Sequence, residues 1–121
     1  MMNPIEVASG IVRALDDKKA KDIKLLRTEK VTVLANYFVI CTASSSTHVK
    51  TLADTVDQVM SDAGEPPLRR EGYRSGWVLL DFGCVVVHIF MEEARQFYSL
   101  ERLWGDAEEV DYSSLISRDP E

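Results

Sequence analysis

This chain of 121 residues has few long apolar runs and only two cysteines, and its first residues do not have the pattern of a leader sequence. Its longest apolar runs are far shorter than the roughly 20 residues that a helix needs to cross a bilayer. The first residues, MMNPIEVASGIVRALDD, lack the charged start and the unbroken apolar stretch of a signal peptide. Cys41 and Cys84 lie in apolar, strand-like contexts and are predicted to be thiols rather than a disulfide. We therefore expect a cytoplasmic globular protein, and its length indicates a single domain.

Positive charge is also scarce, and this argues against nucleic-acid binding. The formal net charge is −6. Residues 105–121 contain six acidic residues and one basic residue, so residues 1–104 are close to neutral. No stretch interleaves basic and aromatic residues in the way that a phosphate-contacting surface requires. We expect little direct contact with nucleic acid and none with a membrane, and a protein partner fits this charge distribution better.

Two segments have the apolar spacing and the end signals of helices. The first begins in Asn3–Glu6, where Asn supplies a cap, Pro takes the first helical position and Glu reaches back to the cap. The second begins within Ser44–Thr47 and ends at Gly64. Shorter helical turns are predicted over residues 92–98 and 100–104.

Segments rich in β-branched and aromatic residues predict a sheet of about five strands, over residues 23–27, 37–42, 68–71, 77–82 and 85–90. Because a helix joins the second strand to the third, we expect these two strands to be parallel neighbours. The predicted fold class is α/β (α+β), a single domain with helices packed on a mixed sheet. Residues 105–121 lack a core pattern and are predicted to form a loose acidic tail.

The stretch WVLLDFGCVVVHIF, residues 77–90, predicts a hairpin whose two faces differ. With Gly83-Cys84 as a two-residue loop, Leu79 lies opposite His88 and Trp77 lies opposite Phe90. Side chains alternate along each strand, which gives one face that is wholly apolar: Val78, Leu80, Phe82, Val85, Val87 and Ile89. The other face carries polar groups among apolar ones: Trp77, Leu79, Asp81, Val86, His88 and Phe90. Two interpretations of this second face are open. It is a docking surface, since Trp is enriched at protein interfaces, or it is covered by another layer of helices.

Residues that could carry catalysis are present, but their spacing supports no common reaction. Asp81 has no second carboxylate at the D-x-D spacing of a two-metal nucleotidyl-transfer site. Cys84 and His88 lie roughly 13 Å apart along a strand, too far to share one metal ion. Ser44–Ser46 beside His48 indicate a capped helix start rather than a nucleophile. We expect no metal, no cofactor and no enzymatic activity; the alternative is a small nucleotide-binding enzyme that uses Asp81, His88 and this helix start.

Two segments of the chain have a long and unusual pattern: NYFVICTASSSTHV (36–49) and EGYRSGWVLLDFGCVVVHIFMEEARQFYSLERLW (71–104). They closely resemble the ribosomal silencing factor family, also called Iojap-like. The departures are few. Asn36 stands where the family usually has Asp, Ala43 where it has Gly, and Cys84 where it has Asp or Asn.

The resemblance implies a nucleotidyltransferase-like fold without catalytic carboxylates over residues 1–104, with residues 105–121 as the tail. It also implies a function, because members of the family bind protein fourteen of the large ribosomal subunit, block subunit joining and lower translation when nutrients are scarce. They also associate with assembly of the large subunit, and homodimers are known. Carried over by position, the partner-binding residues are expected in the second segment: Trp77, Leu79, Asp81, His88, Tyr98, Glu101 and Trp104.

Overall fold

The computed structural model describes residues 3–28, 35–73, 76–92 and 108–113. Over these residues the chain forms the helices α1 (Pro4–Asp17) and α2 (Ser46–Asp62). The strands are β1 (Lys21–Arg27), β2 (Tyr37–Ala43), β3 (Arg69–Tyr73), β4 (Trp77–Asp81), β5 (Val85–Met91) and β6 (Glu108–Val110). No helix within these ranges is long and apolar enough to cross a bilayer. The helical turns predicted over 92–98 and 100–104 lie, apart from Glu92, outside the described residues.

The caps predicted for the two helix starts are confirmed. The Asn3 side chain accepts a hydrogen bond from the Glu6 N–H at 3.0 Å, and the Glu6 side chain accepts one from the Asn3 N–H at 2.9 Å. These reciprocal bonds satisfy two amides that the helix itself leaves without partners. Ser45 caps α2, where its hydroxyl accepts from the backbone N–H of His48 at 3.1 Å.

Gly64 ends α2 as the sequence predicted. Its φ of +84° is a left-handed conformation that residues with a Cβ rarely adopt. This turn lets the Gly64 N–H donate to the Ser61 carbonyl at 3.0 Å and the Glu65 N–H donate to the Met60 carbonyl at 2.8 Å. These two bonds satisfy carbonyl groups of the last turn of α2 that the helix itself leaves without partners.

The six strands form one mixed sheet in the order β3-β4-β5-β2-β1-β6. The pair β2–β5 is parallel, and the other neighbouring pairs are antiparallel. The predicted fold class is confirmed, but the prediction that the second and third strands are neighbours is wrong, because β4 and β5 lie between β2 and β3. The apolar strands β2 and β5 lie at the centre of the sheet, and β3, which contains two arginines and a glutamate, lies at the edge.

Both helices pack on one face of the sheet and form the main core. The apolar face predicted for the hairpin belongs to this core, with Leu80, Val85, Val87 and Ile89 buried and Val78 and Phe82 packed against them. From the helices, the largest buried side chains are Ile11, Leu15, Leu52 and Met60. The opposite face of β4 and β5 therefore points away from α1 and α2, and this is what makes it a candidate site.

Part of the predicted tail belongs to the sheet. Residues 108–110 form β6, which pairs with β1 at Leu25, Leu26 and Arg27. Arg27 also lies 3.5 Å from the carboxylate of Glu108 in a partly exposed ion pair. The prediction of a loose tail is wrong for these three residues, because a strand this short, with two exposed glutamates, has no periodic pattern to reveal it.

Candidate functional site

The β4–β5 hairpin has the register that the sequence predicted. Trp77 lies opposite Phe90, and Leu79 lies opposite His88. The turn is closed by the Phe82 N–H, which donates to the Val85 carbonyl at 2.9 Å. Because the register is confirmed, the assignment of side chains to the two faces is confirmed with it.

The face turned away from the helices carries an aromatic cluster, which we define as Phe38, Trp77, His88 and Phe90. The Trp77 ring lies 5.3 Å from the Phe90 ring and 5.8 Å from the His88 ring, measured between centroids, and it stacks on both. Phe38, from the neighbouring strand β2, packs on His88 with centroids 5.2 Å apart. Leu26, Ala35, Ile40 and Val86 complete this second, smaller core. Trp77 is half-buried, whereas Phe90 is fully buried.

Trp77 and His88 are joined by a hydrogen bond as well as by stacking. The indole Nε1–H of Trp77 donates to Nδ1 of His88 at 3.2 Å. An indole nitrogen can only donate, so Nδ1 must carry a lone pair and the proton of the neutral imidazole lies on Nε2. Burial lowers the pKa of His88 from 6.5 to about 4, which keeps the ring neutral at physiological pH.

Among the described residues, the other nitrogen of His88 has no hydrogen-bond partner. His88 is 5% exposed, and its Nε2 is buried without an acceptor. A buried donor left in this way costs about 1 to 3 kcal/mol. Burial of this ring therefore lowers the stability of the fold, and the hydrogen bond from Trp77 to Nδ1 offsets part of that loss.

Asp81 has a different role from His88, although both belong to the same face. One carboxylate oxygen accepts from the Gly83 N–H at 2.8 Å and so stabilises the turn, and the other lies 3.4 Å from Nε of Arg69. No hydrogen bond joins Asp81 to His88, so the geometry does not make an acid–base pair of them. Among the described residues, no group of three Asp, Glu, His or Cys side chains is arranged to hold a metal ion.

The predicted partner-binding residues fall into three groups in the structure. Trp77 and Asp81 are half-buried and reach the surface. Leu79 and His88 are 8% and 5% exposed, so their side chains lie within the protein rather than on it. The remaining residues, Tyr98, Glu101 and Trp104, lie outside the described residues. Leu79 and His88, which were expected among the partner-binding residues, thus lie beneath the surface rather than on it.

His48 makes a connection that the sequence did not reveal. Its Nδ1 accepts from the Ser44 backbone N–H at 2.9 Å and lies 3.1 Å from the Ser44 hydroxyl. Its Nε2 lies 2.8 Å from the Lys18 carbonyl, to which it donates because Nδ1 is already an acceptor. The start of α2 is therefore fastened to the end of α1. Lys18 precedes His48 by 30 positions, which is farther than any local motif reaches, so no periodic signal could have found this contact.

The sequence matches a known family over nearly its whole length. The model of the family described as ribosomal silencing factor during starvation matches residues 2–121, a range that extends beyond the two segments on which the resemblance was based. Ribosomal silencing factor RsfS of Halalkalibacterium halodurans is 38% identical over 117 residues, which cover 96% of this chain and 100% of the relative. RsfS of Chromobacterium violaceum is 41% identical over 101 residues, 83% of each chain. The chloroplast protein Iojap of Zea mays is 32% identical over 111 residues, 88% of this chain and 47% of the relative.

Solved structures agree with the sequence relatives. A crystal structure of a protein from Chromobacterium violaceum superposes with a TM-score of 0.83 at 39% identity, covering 86% of this chain and 88% of the other. A protein from Bacillus halodurans gives a TM-score of 0.78 at 35% identity, covering 88% of this chain and 98% of the other. Fold and sequence point the same way, and the chain belongs to the ribosomal silencing factor family.

Proposed function

We propose that the protein is a translational repressor that binds protein fourteen of the large ribosomal subunit and blocks joining of the small subunit. In this proposal it lowers translation in the cytoplasm when nutrients are scarce. The observation that carries the proposal is the half-buried Trp77, stacked on a buried ring and placed on the sheet face away from both described helices. Family membership supplies the ribosome as the place where this surface acts.

The aromatic cluster has the composition of a binding hot spot. Trp residues that are partly buried in their own protein offer a large, rigid contact area at a low cost in conformational entropy. The Trp77 ring is held in place by stacking on the rings of Phe90 and His88. Asp81 lies two residues further along the same strand and adds a carboxylate at the rim of the surface. Tyr98, Glu101 and Trp104 belong to the proposal through the family resemblance.

The charge of the protein favours a basic protein over RNA as the direct partner. The net charge is −6, and most of it lies in residues 105–121. Acidic chains are repelled by phosphates but attracted by the basic proteins that cover parts of a ribosomal subunit. Among the acidic residues of this region, Glu108 and Glu109 lie on β6 with their side chains exposed. We therefore propose that residues 105–121 assist the encounter with the subunit electrostatically.

Blocking a joint between subunits needs bulk and affinity, and it needs no catalysis. A standard protein interface buries about 1,600 Å² in total, which a hairpin face with its neighbouring segment can supply. The Asp81 carboxylate accepts hydrogen bonds from the Gly83 N–H of the turn and from Arg69, and His88 accepts one from Trp77. No observation on the described residues favours the nucleotide-binding enzyme, and we propose that the protein is not an enzyme. A part in large-subunit assembly and a homodimer rest on the family resemblance alone.

The test is a titration of the protein against isolated large ribosomal subunits. Trp77→Ala should weaken binding at least about 30-fold, which corresponds to the 2 kcal/mol or more expected of a hot-spot residue. Val59→Ala is the matched control, because Val59 is an exposed apolar residue of α2 on the opposite side of the sheet. It should bind like the unchanged protein. Equal binding by all three proteins would refute the proposed surface.

Sedimentation of a cell extract separates the repressor from the enzyme. The repressor should travel with the large-subunit peak of a sucrose gradient. A protein found only in the soluble top fractions, at low and high magnesium alike, would count against any role at the ribosome.

A further inference from the structure

The bond between Trp77 and His88 raises the question of why a histidine occupies a site that is otherwise apolar. The rings that contact His88 are those of Phe38, Trp77 and Phe90, and its partner on β2 is the apolar Ile40. A leucine would fit this environment without leaving the buried Nε2–H unsatisfied. The property that histidine has and leucine lacks is the acceptor at Nδ1, which receives the indole N–H.

That acceptor decides which way the Trp77 ring is turned. Trp77 is half-buried, so its indole can reach either the protein interior or water with the N–H group. A polar N–H left without a partner in the interior is costly, and an indole that lost its acceptor would turn this edge toward water. With Nδ1 of His88 at 3.2 Å, the N–H stays inside. The ring then remains stacked on Phe90 with an interplanar angle of 21°.

We propose that His88 is a positioning residue that fixes the Trp77 indole in the orientation required for docking. The inference rests on the proposed function, since it concerns the same surface. His88 itself is buried and does not contact the partner. It acts by keeping the N–H edge inside, so that a docking protein meets the carbon atoms of the ring. The partner group at Trp77 is therefore the apolar part of a side chain, and not a hydrogen-bond acceptor.

Two substitutions at position 88 separate the acceptor from the packing. Asparagine and leucine are similar in size, and both branch at Cγ as histidine does. His88→Asn places an amide oxygen where Nδ1 was and keeps an acceptor for the indole. His88→Leu fills the same space without an acceptor. A role in packing alone predicts that leucine is the better replacement in this apolar site, whereas the positioning role predicts the reverse for binding.

Three measurements are made on each variant of the full chain. Denaturant unfolding at neutral pH reports stability, ¹⁵N NMR of the indole N–H reports its hydrogen bond, and titration with isolated large subunits reports affinity. Trp77→Phe identifies the indole signal of Trp77. For His88→Leu we expect a folded protein, a shifted and faster-exchanging indole proton, and affinity reduced roughly tenfold, the equivalent of one lost hydrogen bond. For His88→Asn we expect the indole signal and affinity to stay near those of the unchanged protein.

The outcomes distinguish this inference from the proposed function. If Trp77→Ala abolishes binding while His88→Leu binds normally, the surface is right and the positioning role is refuted. If both substitutions at position 88 weaken binding equally, the acceptor is irrelevant and the inference is also refuted. If Trp77→Ala binds normally, the proposed surface itself fails. Should His88→Leu not fold, His88→Asn decides alone: normal binding with an intact indole signal supports the role, and weakened binding with that signal intact refutes it.

Discussion

Removal of the His88 imidazole should make folding less sensitive to acid. Burial lowers the pKa of His88 to about 4 in the folded protein, whereas the unfolded chain has the ordinary value of 6.5. Above pH 6.5 both states are neutral and the residue has no effect on pH dependence. As the pH falls below 6.5 the unfolded chain takes up a proton that the folded protein refuses, so stability is lost progressively until the pH reaches about 4.

The size of the effect follows from the two pKa values. One pKa unit corresponds to about 1.4 kcal/mol, so the whole shift amounts to about 3 kcal/mol, and about 2 kcal/mol of it is lost between pH 7 and pH 5. The assay is denaturant unfolding followed by far-UV circular dichroism at these two pH values. His88→Leu should lose about 2 kcal/mol less than the unchanged protein on going to pH 5, since all other titrating groups are common to both.

A control isolates His88 from the second histidine of the chain. His48 is partly exposed at the start of α2, and His48→Gln should leave the acid sensitivity caused by His88 in place. If the unchanged protein and His88→Leu lose the same stability between the two pH values, then the imidazole is not buried as the structure has it. That result would also exclude a neutral, buried ring that accepts a hydrogen bond from Trp77.

Three further predictions concern the parts that hold the fold together, each measured as the free energy of unfolding. His48→Ala removes the bond to the Lys18 carbonyl and should cost about 1 to 2 kcal/mol. The control Lys50→Ala breaks only an exposed ion pair on the same helix and should cost under about 0.5 kcal/mol. Equal losses for the two variants would contradict the link between the helices. Gly64→Ala should cost about 1 kcal/mol because alanine is strained at the positive φ of this position. The strain is the only cost, since an added Cβ would meet no atom within 4 Å. An unchanged stability would show that φ is not positive there. Val110→Asp places a charge on the half-buried residue of β6 and should cost about 1 to 2 kcal/mol, whereas no effect would mean that β6 does not pack on β1.

Local signals predicted the elements that depend on neighbours in the chain. The capping residues Asn3 and Ser45 and the terminating Gly64 each act within four residues, so the sequence alone placed the start of α1 and both ends of α2. Gly83 and strict alternation likewise determined the register of the hairpin, and with it the two faces. These predictions succeeded because the physical cause and its effect lie in the same short segment.

Features that depend on distant parts of the chain could not be predicted in this way. The order of strands in the sheet is decided by which strands bury both faces, and the adjacency of β2 and β5 joins segments that are separated by α2, β3 and β4. The short strand β6 gains its stability from β1 rather than from its own sequence. The candidate site shows the same division. Its hairpin residues Trp77, Leu79, Asp81 and His88 were assigned to the correct face, but the burial of Leu79 and His88 depends on packing with other segments, which alternation along a strand does not reveal.

We propose, above all, that the surface around Trp77 keeps the ribosomal subunits apart. The direct measurement is light scattering of purified large and small subunits mixed in the presence of the protein, of Trp77→Ala or of Val59→Ala. The unchanged protein and Val59→Ala should both suppress the rise in scattering that marks joined subunits, and Trp77→Ala should allow it at the same concentration. Suppression of joining by folded Trp77→Ala to the same extent would show that the surface around Trp77 does not keep the subunits apart.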